Sequence, residues 1–317
     1  MTLTSAVDQA LPLGYGPAVI AVDVGGTDTK AALFDASGRM LGLSRTPTPH
    51  DGERTALAVV ARVHELTLQF AADFSDVQPR ALGMLAPGVV DDDAGVGILA
   101  TNLHWSNVSF KQLTEELVHL PTSFSHDVRA AGEAEFRLGA ARPFRNVVVL
   151  VIGTGIAGSL FLNGQAHTGA GYAGEIGHSI VDPAGPLCGC GSRGCLESLA
   201  SAGALVRRYE GLTGKRPSGA REVLALAGAG DPAATMIWAE ALDALALSIA
   251  QLAAVLAPEA VVIGGGLAQA GDTLFLPLRE RVSALLSFHR RPAILPASIG
   301  ENAGLLGAAL RARDLLG

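Results

Sequence analysis

Cysteine, lysine and aromatic residues are scarce in this chain: three cysteines, three lysines, two tryptophans and three tyrosines among 317 residues. With so few lysines and a formal charge of −7, no basic field exists to recruit nucleic acid or an acidic membrane surface. Three cysteines cannot supply a disulfide framework. The opening stretch "MTLTSAVDQALPLGYGP" has neither a basic start nor a long apolar core, so no secretory leader is expected and the protein is read as cytoplasmic. The most apolar helical segment, "ALDALALSIAQLAAVLA" (241–257), is broken by Asp243, Ser248 and Gln251, which suits a core helix better than a membrane span. Neither a Walker A motif nor a Gly-x-Gly-x-x-Gly run after the first strand is present, which disfavours P-loop and dinucleotide-binding readings.

What is plentiful is apolar residue content, at 49%, together with 39 glycines. After a tail of about 16 residues, "AVIAVDVGG" (18–26) reads as a buried strand closed by two glycines. Two strands joined at "DASG" follow over 30–46, then a helix over 53–72 with apolar positions at Leu57, Val60, Val63, Leu66 and Phe70. Residues 80–87 read as another buried strand. The stretch 108–120 reads as a helix with Ser109 and Gln112 as a capping box, and 122–140 as strand, turn and helix. At 146–165 two apolar strands again flank a glycine turn, repeating the pattern of 18–35. Helices are expected over 196–211, 219–227 and 233–256, a strand and glycine turn at 259–271, a late strand at "PAILPAS" and a closing helix at 303–316. Strands alternating with helices imply an α/β fold, and the repeated strand–turn–strand unit implies two related domains.

Three glycine turns are candidate phosphate sites. In "DVGGTDTK", Gly25 and Gly26 permit close backbone approach, Thr27 offers a hydroxyl, and Asp23 at the strand end could hold a magnesium-bound water. An ordinary hairpin turn accounts for these residues equally well. Gly153, Thr154 and Gly155 form a second turn; Gly264, Gly265 and Gly266 form a third, expected to open a helix whose N-terminus favours a nucleotide. Glycine turns at strand ends in two similar domains resemble the superfamily of sugar kinases, heat-shock protein 70 and actin. The resemblance implies ATP in a cleft between two lobes.

All three cysteines lie in "GHSIVDPAGPLCGCGSRGCLE" (177–197). Cys188, Cys190 and Cys195 with His178 make a Cys3His set suited to a closed, structural zinc site. A disulfide would strand one thiol, and reduced thiols without metal are the remaining alternative. Gly189, Gly191 and Gly194 allow the tight turning such a knuckle needs.

The same stretch resembles the ROK family (repressors, open reading frames and sugar kinases), whose motif is Gly-Glu-x-Gly-His, nine residues, then Cys-x-Cys-Gly-x-x-Gly-Cys-x-Glu. Here residues 179–187 are the nine. The likeness runs from about residue 18 to the C-terminus and includes "LAPGVVD", "TNLHW", "HDVRAAGEAE", "VVIGGGLA" and "NAGLLGAAL". Family repressors carry an extra DNA-binding domain at the N-terminus; only about 17 residues stand there in this sequence, which favours the kinase branch.

The resemblance implies two actin-like (ribonuclease H-like) lobes with an ATP and sugar cleft between them. The expected limits are a tail at 1–17, one lobe at 18–125 with the helix 303–317, and a second at 126–302 bearing the zinc loop 178–195. It implies an ATP-dependent sugar kinase, with glucose the leading acceptor at its 6-hydroxyl and magnesium arriving with ATP. The alternatives are an N-acetylglucosamine or N-acetylmannosamine kinase, and a non-catalytic sugar-sensing regulator. Polyphosphate as donor is disfavoured by the lack of a basic track. Asp127 is the expected general base, though as a helix-opening aspartate it could serve only as a cap. Glu175, His178 and Glu197 are expected to clamp the sugar, with Asn102 near it and Gly83 in the pocket wall; a solvated helix position is the alternative for Glu197. His126 stands where these kinases usually carry asparagine, so it is an expected sugar contact with altered reach and pH dependence. Ala157 replaces a common third glycine and requires a negative φ. Lys30 could meet phosphate or simply lie exposed; Arg129 could be a solvated helix residue. Trp105 and Trp238 are expected to pack. A homodimer or homotetramer is implied by the family.

Overall fold

The computed structural model describes Thr4–Ser5 and residues 13–317. Its strands are β1 (Thr4–Ser5), β2 (Val19–Val24), β3 (Asp28–Phe34), β4 (Met40–Pro47), β5 (Ala81–Ala86), β6 (Val89–Asp91), β7 (Val96–Ala100), β8 (Trp105–Val108), β9 (Thr122–His126), β10 (Val147–Ile152), β11 (Ile156–Leu162), β12 (Gln165–His167), β13 (Ala260–Gly264) and β14 (Ala293–Pro296). Its helices are α1 (Thr55–Asp73), α2 (Phe110–Val118), α3 (Asp127–Leu138), α4 (Leu196–Ala200), α5 (Ala202–Thr213), α6 (Ala220–Gly228), α7 (Pro232–Leu256), α8 (Asp272–Leu285) and α9 (Ala303–Asp314). The chain forms two compact units. The first holds Met1–Ala134, Thr168–Tyr172 and Glu301–Gly317; the second holds Glu135–His167 and Ala173–Gly300. The division falls inside α3.

The first unit carries a sheet in the order β1-β4-β3-β2-β5-β9, with β2, β5 and β9 parallel. Period-two alternation sends Ile20, Val22, Val24, Leu82 and Met84 to one face, where they pack on Val59, Val63, Leu66 and Phe70 of α1. The other face takes α9. Gly83 in β5 lies so close to α9 that a Cβ would overlap the Ala308 carbonyl. A small antiparallel sheet, β6-β7-β8, was not evident in the sequence; it delivers Trp105, which packs edge-on against Phe110 at 4.8 Å.

The second unit repeats the plan, with its sheet in the order β12-β11-β10-β13-β14. Leaving β1 aside, both sheets place their strands in the same sequence of third, second, first, fourth and fifth. β10 reads as an unbroken apolar run because both its faces are covered. Val148, Leu150 and Ile152 join Ile237, Leu242, Leu245 and Ile249 of α7. Val147 and Val149 join Phe161 and Val262 beneath Phe136, whose ring stacks on Phe161 at 4.2 Å. α7 is long and apolar enough to cross a membrane by composition; Trp238 and its other core residues are buried in this unit.

Several local expectations shift. Of the expected tail, residues 1–3 and 6–12 lie outside the described residues. Thr4–Ser5 pair with β4, and Arg313 of α9 donates to the carbonyls of Leu13, Gly14 and Pro17, so 13–17 are docked. Ser109 makes no side-chain capping bond, and Gln112, the other half of the expected box, donates to Glu116 at 2.9 Å. No turn separates β9 from α3, which starts at Asp127. The helix expected over 196–211 is two helices, α4 and α5, with extended backbone at Ser201. The break occurs because Ala202 N–H bonds the Gly153 carbonyl at 2.9 Å and Ser201 Oγ caps α5 by accepting from Ala204. The third glycine turn opens a short 3-10 turn, Gly266–Ala270, and the α-helix begins only at Asp272.

Candidate active site and metal centre

In the first unit the candidates gather at the C-terminal edge of the parallel strands, where α/β sheets bind ligands. Asp23 sits near the end of β2, and His126 and Asp127 at the end of β9, with β5 between them. Asp23 also lies beside the start of α9, where a Cβ on Gly304 would be 2.8 Å from its carboxylate. The first glycine turn closes through Gly25 N–H to the Asp28 carbonyl at 2.9 Å. Two residues that sequence reasoning missed hold it from behind. Thr48 Oγ1 donates to the Gly25 carbonyl at 2.7 Å, and His50 Nε2 lies 3.0 Å from the Gly26 carbonyl. Gly26 and Thr27 are exposed, and a Cβ on Gly26 would lie 3.0 Å from the Asn102 amide, so the structure brings Asn102 to this turn. Gly83, expected in a pocket wall, is instead buried against α9; its missing side chain is a packing requirement.

Asp127 opens α3 with its Oδ1 accepting from Val128 N–H at 2.6 Å. His126 Nδ1 accepts from the same N–H at 3.2 Å and from Arg129 N–H at 3.4 Å, so His126 is the residue that caps the helix. An acceptor Nδ1 places the proton of a neutral ring on Nε2. Burial pushes the Asp127 carboxyl up to about 6, opposed by the Val128 N–H and the Arg129 charge. Burial, with the nearby Asp127 charge, likewise raises Asp23 to about 6, against the pull of Lys30 opposite it in the β2–β3 ladder. Arg129, read as a possible solvated residue, is buried.

In the second unit β10 and β13 run parallel, so their glycine turns emerge side by side. Gly153 N–H bonds the Gly155 carbonyl at 2.9 Å. Gly265 has φ +83 and sits where a Cβ would meet the backbone of Ile152. Ala157 lies in β11 outside the positive-φ residues, as its methyl requires. A cavity of about 260 Å³ opens beside the third turn, lined by Gly266, Gln269 and Thr273 with Arg221, Leu224 and Ala225 of α6. The α6 residues carried no signal in sequence.

The loop bearing Glu175 and His178 and the helix bearing Glu197 both lie against the start of β11. Glu197 Oε2 accepts from Ile156 N–H at 2.8 Å, which removes the solvated reading. A Cβ on Gly155 would displace that carboxylate, and Gly177 must lack a side chain because a Cβ would overlap the Ile156 carbonyl. Gly158 N–H bonds the Gly174 carbonyl at 2.8 Å, and Glu175 precedes the 3-10 turn Ile176–His178.

The ligand atoms of His178, Cys188, Cys190 and Cys195 all lie within 4.8 Å of one another. His178 Nδ1 to Cys188 Sγ is 3.7 Å, as is Cys190 Sγ to Cys195 Sγ. A tetrahedron with metal–sulfur arms of about 2.3 Å has edges of about 3.8 Å, so these separations fit a shared metal ion. A disulfide would need about 2.05 Å. Burial pushes the Cys195 thiol up to about 12, while the Ser192 N–H draws Cys190 down to about 7. Gly194, at φ +68 and packed on the Asp182 carbonyl, permits the knuckle's return.

Comparison with known proteins agrees with this arrangement. The family model "ROK family" matches residues 19–314. The chain is 32% identical to a glucokinase of Streptomyces coelicolor over 93% of this chain and 97% of that one. It is also 32% identical to an N-acetylmannosamine kinase of Shigella flexneri, over 93% and 98%. Among solved structures, a ROK hexokinase from Thermus thermophilus superposes with a TM-score of 0.81 at 34% identity, covering 94% of this chain and 99% of that one. A ROK glucokinase from Streptomyces griseus, solved with glucose and AMPPNP, gives 0.76 at 32%, covering 94% and 99%. The α/β fold of actin-like units expected from sequence therefore holds, and the chain belongs to the ROK family.

Proposed function

We propose that this protein is an ATP-dependent sugar kinase that phosphorylates a hexose, glucose at its 6-hydroxyl being the leading acceptor. The observation that carries this is the carboxylate of Asp127 at the open edge of a parallel sheet, on the same edge as Asp23 and the first glycine turn. A carboxyl near 6 is ionised at neutral pH and basic enough to take a proton as the hydroxyl attacks. In the reaction the sugar oxygen bonds the γ-phosphorus, the bridging bond to ADP breaks, and the hydroxyl proton passes to Asp127. The glycine turns Gly25–Thr27 and Gly153–Gly155 supply main-chain donors for phosphate, and the cavity beside Gly264–Gly266 is of a size and lining suited to adenosine. Magnesium supplies charge neutralisation on the ATP phosphates when bound, with Asp23 the residue placed to hold it through water.

Glu175, Glu197 and His178 are assigned to the sugar hydroxyls, with Asn102 and His126 on the first unit. One Glu197 oxygen is used by Ile156 N–H, so the other is the one offered to substrate. Zinc is the proposed metal of the Cys3His set, a closed structural site. With Nδ1 on the metal, His178 keeps Nε2–H as a donor of fixed orientation. The expected lobe limits, 18–125 with 303–317 and 126–302, differ from the compact units, which group 126–134 and Thr168–Tyr172 with the first. A homodimer or homotetramer is proposed on the family resemblance alone, and light scattering tests it.

A second reading, phosphorylation of an N-acetylhexosamine, has specific support in the N-acetylmannosamine kinase relative and in His126, which departs from the usual asparagine at the sugar. One experiment separates these readings. ATP-dependent phosphorylation is measured over glucose, mannose, N-acetylglucosamine, N-acetylmannosamine, fructose and allose. Highest kcat/KM on glucose is expected; highest on an acetamido sugar selects the second reading, and no turnover on any sugar sinks both.

A further inference from the structure

Arg129 stands on the first turn of α3, two residues beyond Asp127. Its side chain is 6% exposed. The guanidinium donates from Nη2 to the Val90 carbonyl at 2.6 Å and to Asp92 Oδ1 at 2.7 Å, and from Nη1 to the Gly171 carbonyl at 3.1 Å. Asp92, also 6% exposed, is a hub. Its Oδ2 accepts from Ser125 Oγ at 2.7 Å and pairs with Arg311 Nη1 at 2.9 Å. Arg311 in turn pairs with Glu133 of α3 at 2.8 Å. One carboxylate thus ties together the strand that leads into the base, the first turn of the base's own helix, the end of β6 and the closing helix α9. The Gly169–Gly171 turn, four residues before Glu175 in the chain, is fastened by the same arginine.

A buried arginine and a half-buried one on a single carboxylate, whose side chain is itself largely shielded, are an expensive way to gain stability, since apolar replacements often serve as well. What such a chain does supply is geometry: a planar fork with three fixed acceptors allows one orientation of the turn that carries it. We propose that the Arg129–Asp92–Arg311 chain is the positioning device for Asp127, holding the first turn of α3 so that its carboxylate meets the substrate hydroxyl at the reactive distance. These are positioning residues, not catalytic ones, and the proposal rests on the reading of Asp127 as the base. The charged and titratable groups facing Asp127 are Asp23 of β2, His126 at the end of β9 and, on its own helix, Arg129; the Arg129 cation opposes the effect of burial on Asp127.

The test compares Arg129→Met, Arg129→Lys and Asp92→Asn with wild type and with Asp127→Asn. Steady-state kinetics on the preferred sugar are read across pH 5 to 9, with melting temperature and circular dichroism as the check on folding. Arg129→Met and Asp92→Asn are expected to lower kcat about 10- to 100-fold while leaving the KM for ATP within about twofold, as a displacement of about 1 Å at the base does. Loss of the cation in Arg129→Met moves the acid limb of the rate profile to higher pH. Arg129→Lys, which keeps charge but not the fork, restores the limb and only part of kcat. Folded variants with wild-type kcat and acid limb, or a loss confined to melting temperature, overturn the proposal. If Arg129→Met does not fold, Asp92→Asn, which keeps the shape of its side chain, decides by the same readouts. Turnover surviving in Asp127→Asn is a different result: it removes the base assignment itself.

Discussion

Asp127 has two opposed obligations. Burial that raises its carboxyl to about 6, and so suits it to the proposed role of base, also makes its ionised form costly to the fold. Asp127→Asn is expected to lower kcat/KM about 10²- to 10⁴-fold. In wild type the rate should fall tenfold per pH unit below about 6, where the carboxyl takes up its proton. The folded-state value lies above the 3.8 of an ordinary aspartate, so the stability cost is absent below that pH and complete above about 6. Asp127→Asn should therefore melt no lower than wild type at pH 7.5, with the difference shrinking as pH falls toward 4; a lower melting temperature at pH 7.5 would contradict this. Asp127 was singled out in sequence through the family resemblance of "HDVRAAGEAE"; its local setting, a helix start after a strand, suits a cap equally well. The roles of Gly83 and Arg129 were not legible there. Gly83 reads like any pocket glycine until α9 is seen crossing it, and Arg129 reads as solvated until Asp92 and Val90 close over it. Gly83→Ala should cost roughly 1–3 kcal/mol by overpacking, read by denaturant unfolding, and leave the sugar KM of the folded fraction unchanged.

At the level of elements, the knuckle 178–195 is the segment whose sequence and structure agree most closely. Its four ligands come from within 18 residues, so spacing and glycine content nearly dictate the loop. Freshly reduced protein should carry about one zinc per chain, and Cys188→Ser or Cys195→Ser should lose it, as read by metal analysis. Chelation should raise the sugar KM more than the ATP KM, because the metal would orient His178 and brace the loop bearing Glu175. Zinc, not magnesium, should restore the sugar KM. The capping box at Ser109 and Gln112 did not form: the Gln112 amide pairs with Glu116 one turn along the helix, a partner the sequence offered equally well. The break between α4 and α5 was invisible because its cause, the bond from Ala202 to Gly153, spans 49 positions.

For the whole molecule, ligand linkage offers a test independent of turnover. Glucose with a non-hydrolysable ATP analogue, each at about 100 times its Kd, should stabilise the protein by about 2.7 kcal/mol per independent site, seen as a rise in melting temperature. That both units open with a strand–glycine turn–strand unit was anticipated, since hairpins and glycine turns are written in contiguous residues; the shared order of the strands in the two sheets was not. Also anticipated were the gathering of His178, Cys188, Cys190 and Cys195 and the presence of glycine turns at the strand ends. Their determinants are backbone freedom and ligand spacing, which act over a few positions. Tertiary structure alone decided that Glu197 spends an oxygen on Ile156, that His126 caps the helix of its neighbour, and that Arg129, Asp92 and Arg311 lock together beneath Asp127. Those outcomes depend on which distant groups share a low-dielectric interior, where an unpaired charge is costly and so must find its partner; no stretch of sequence names that partner in advance.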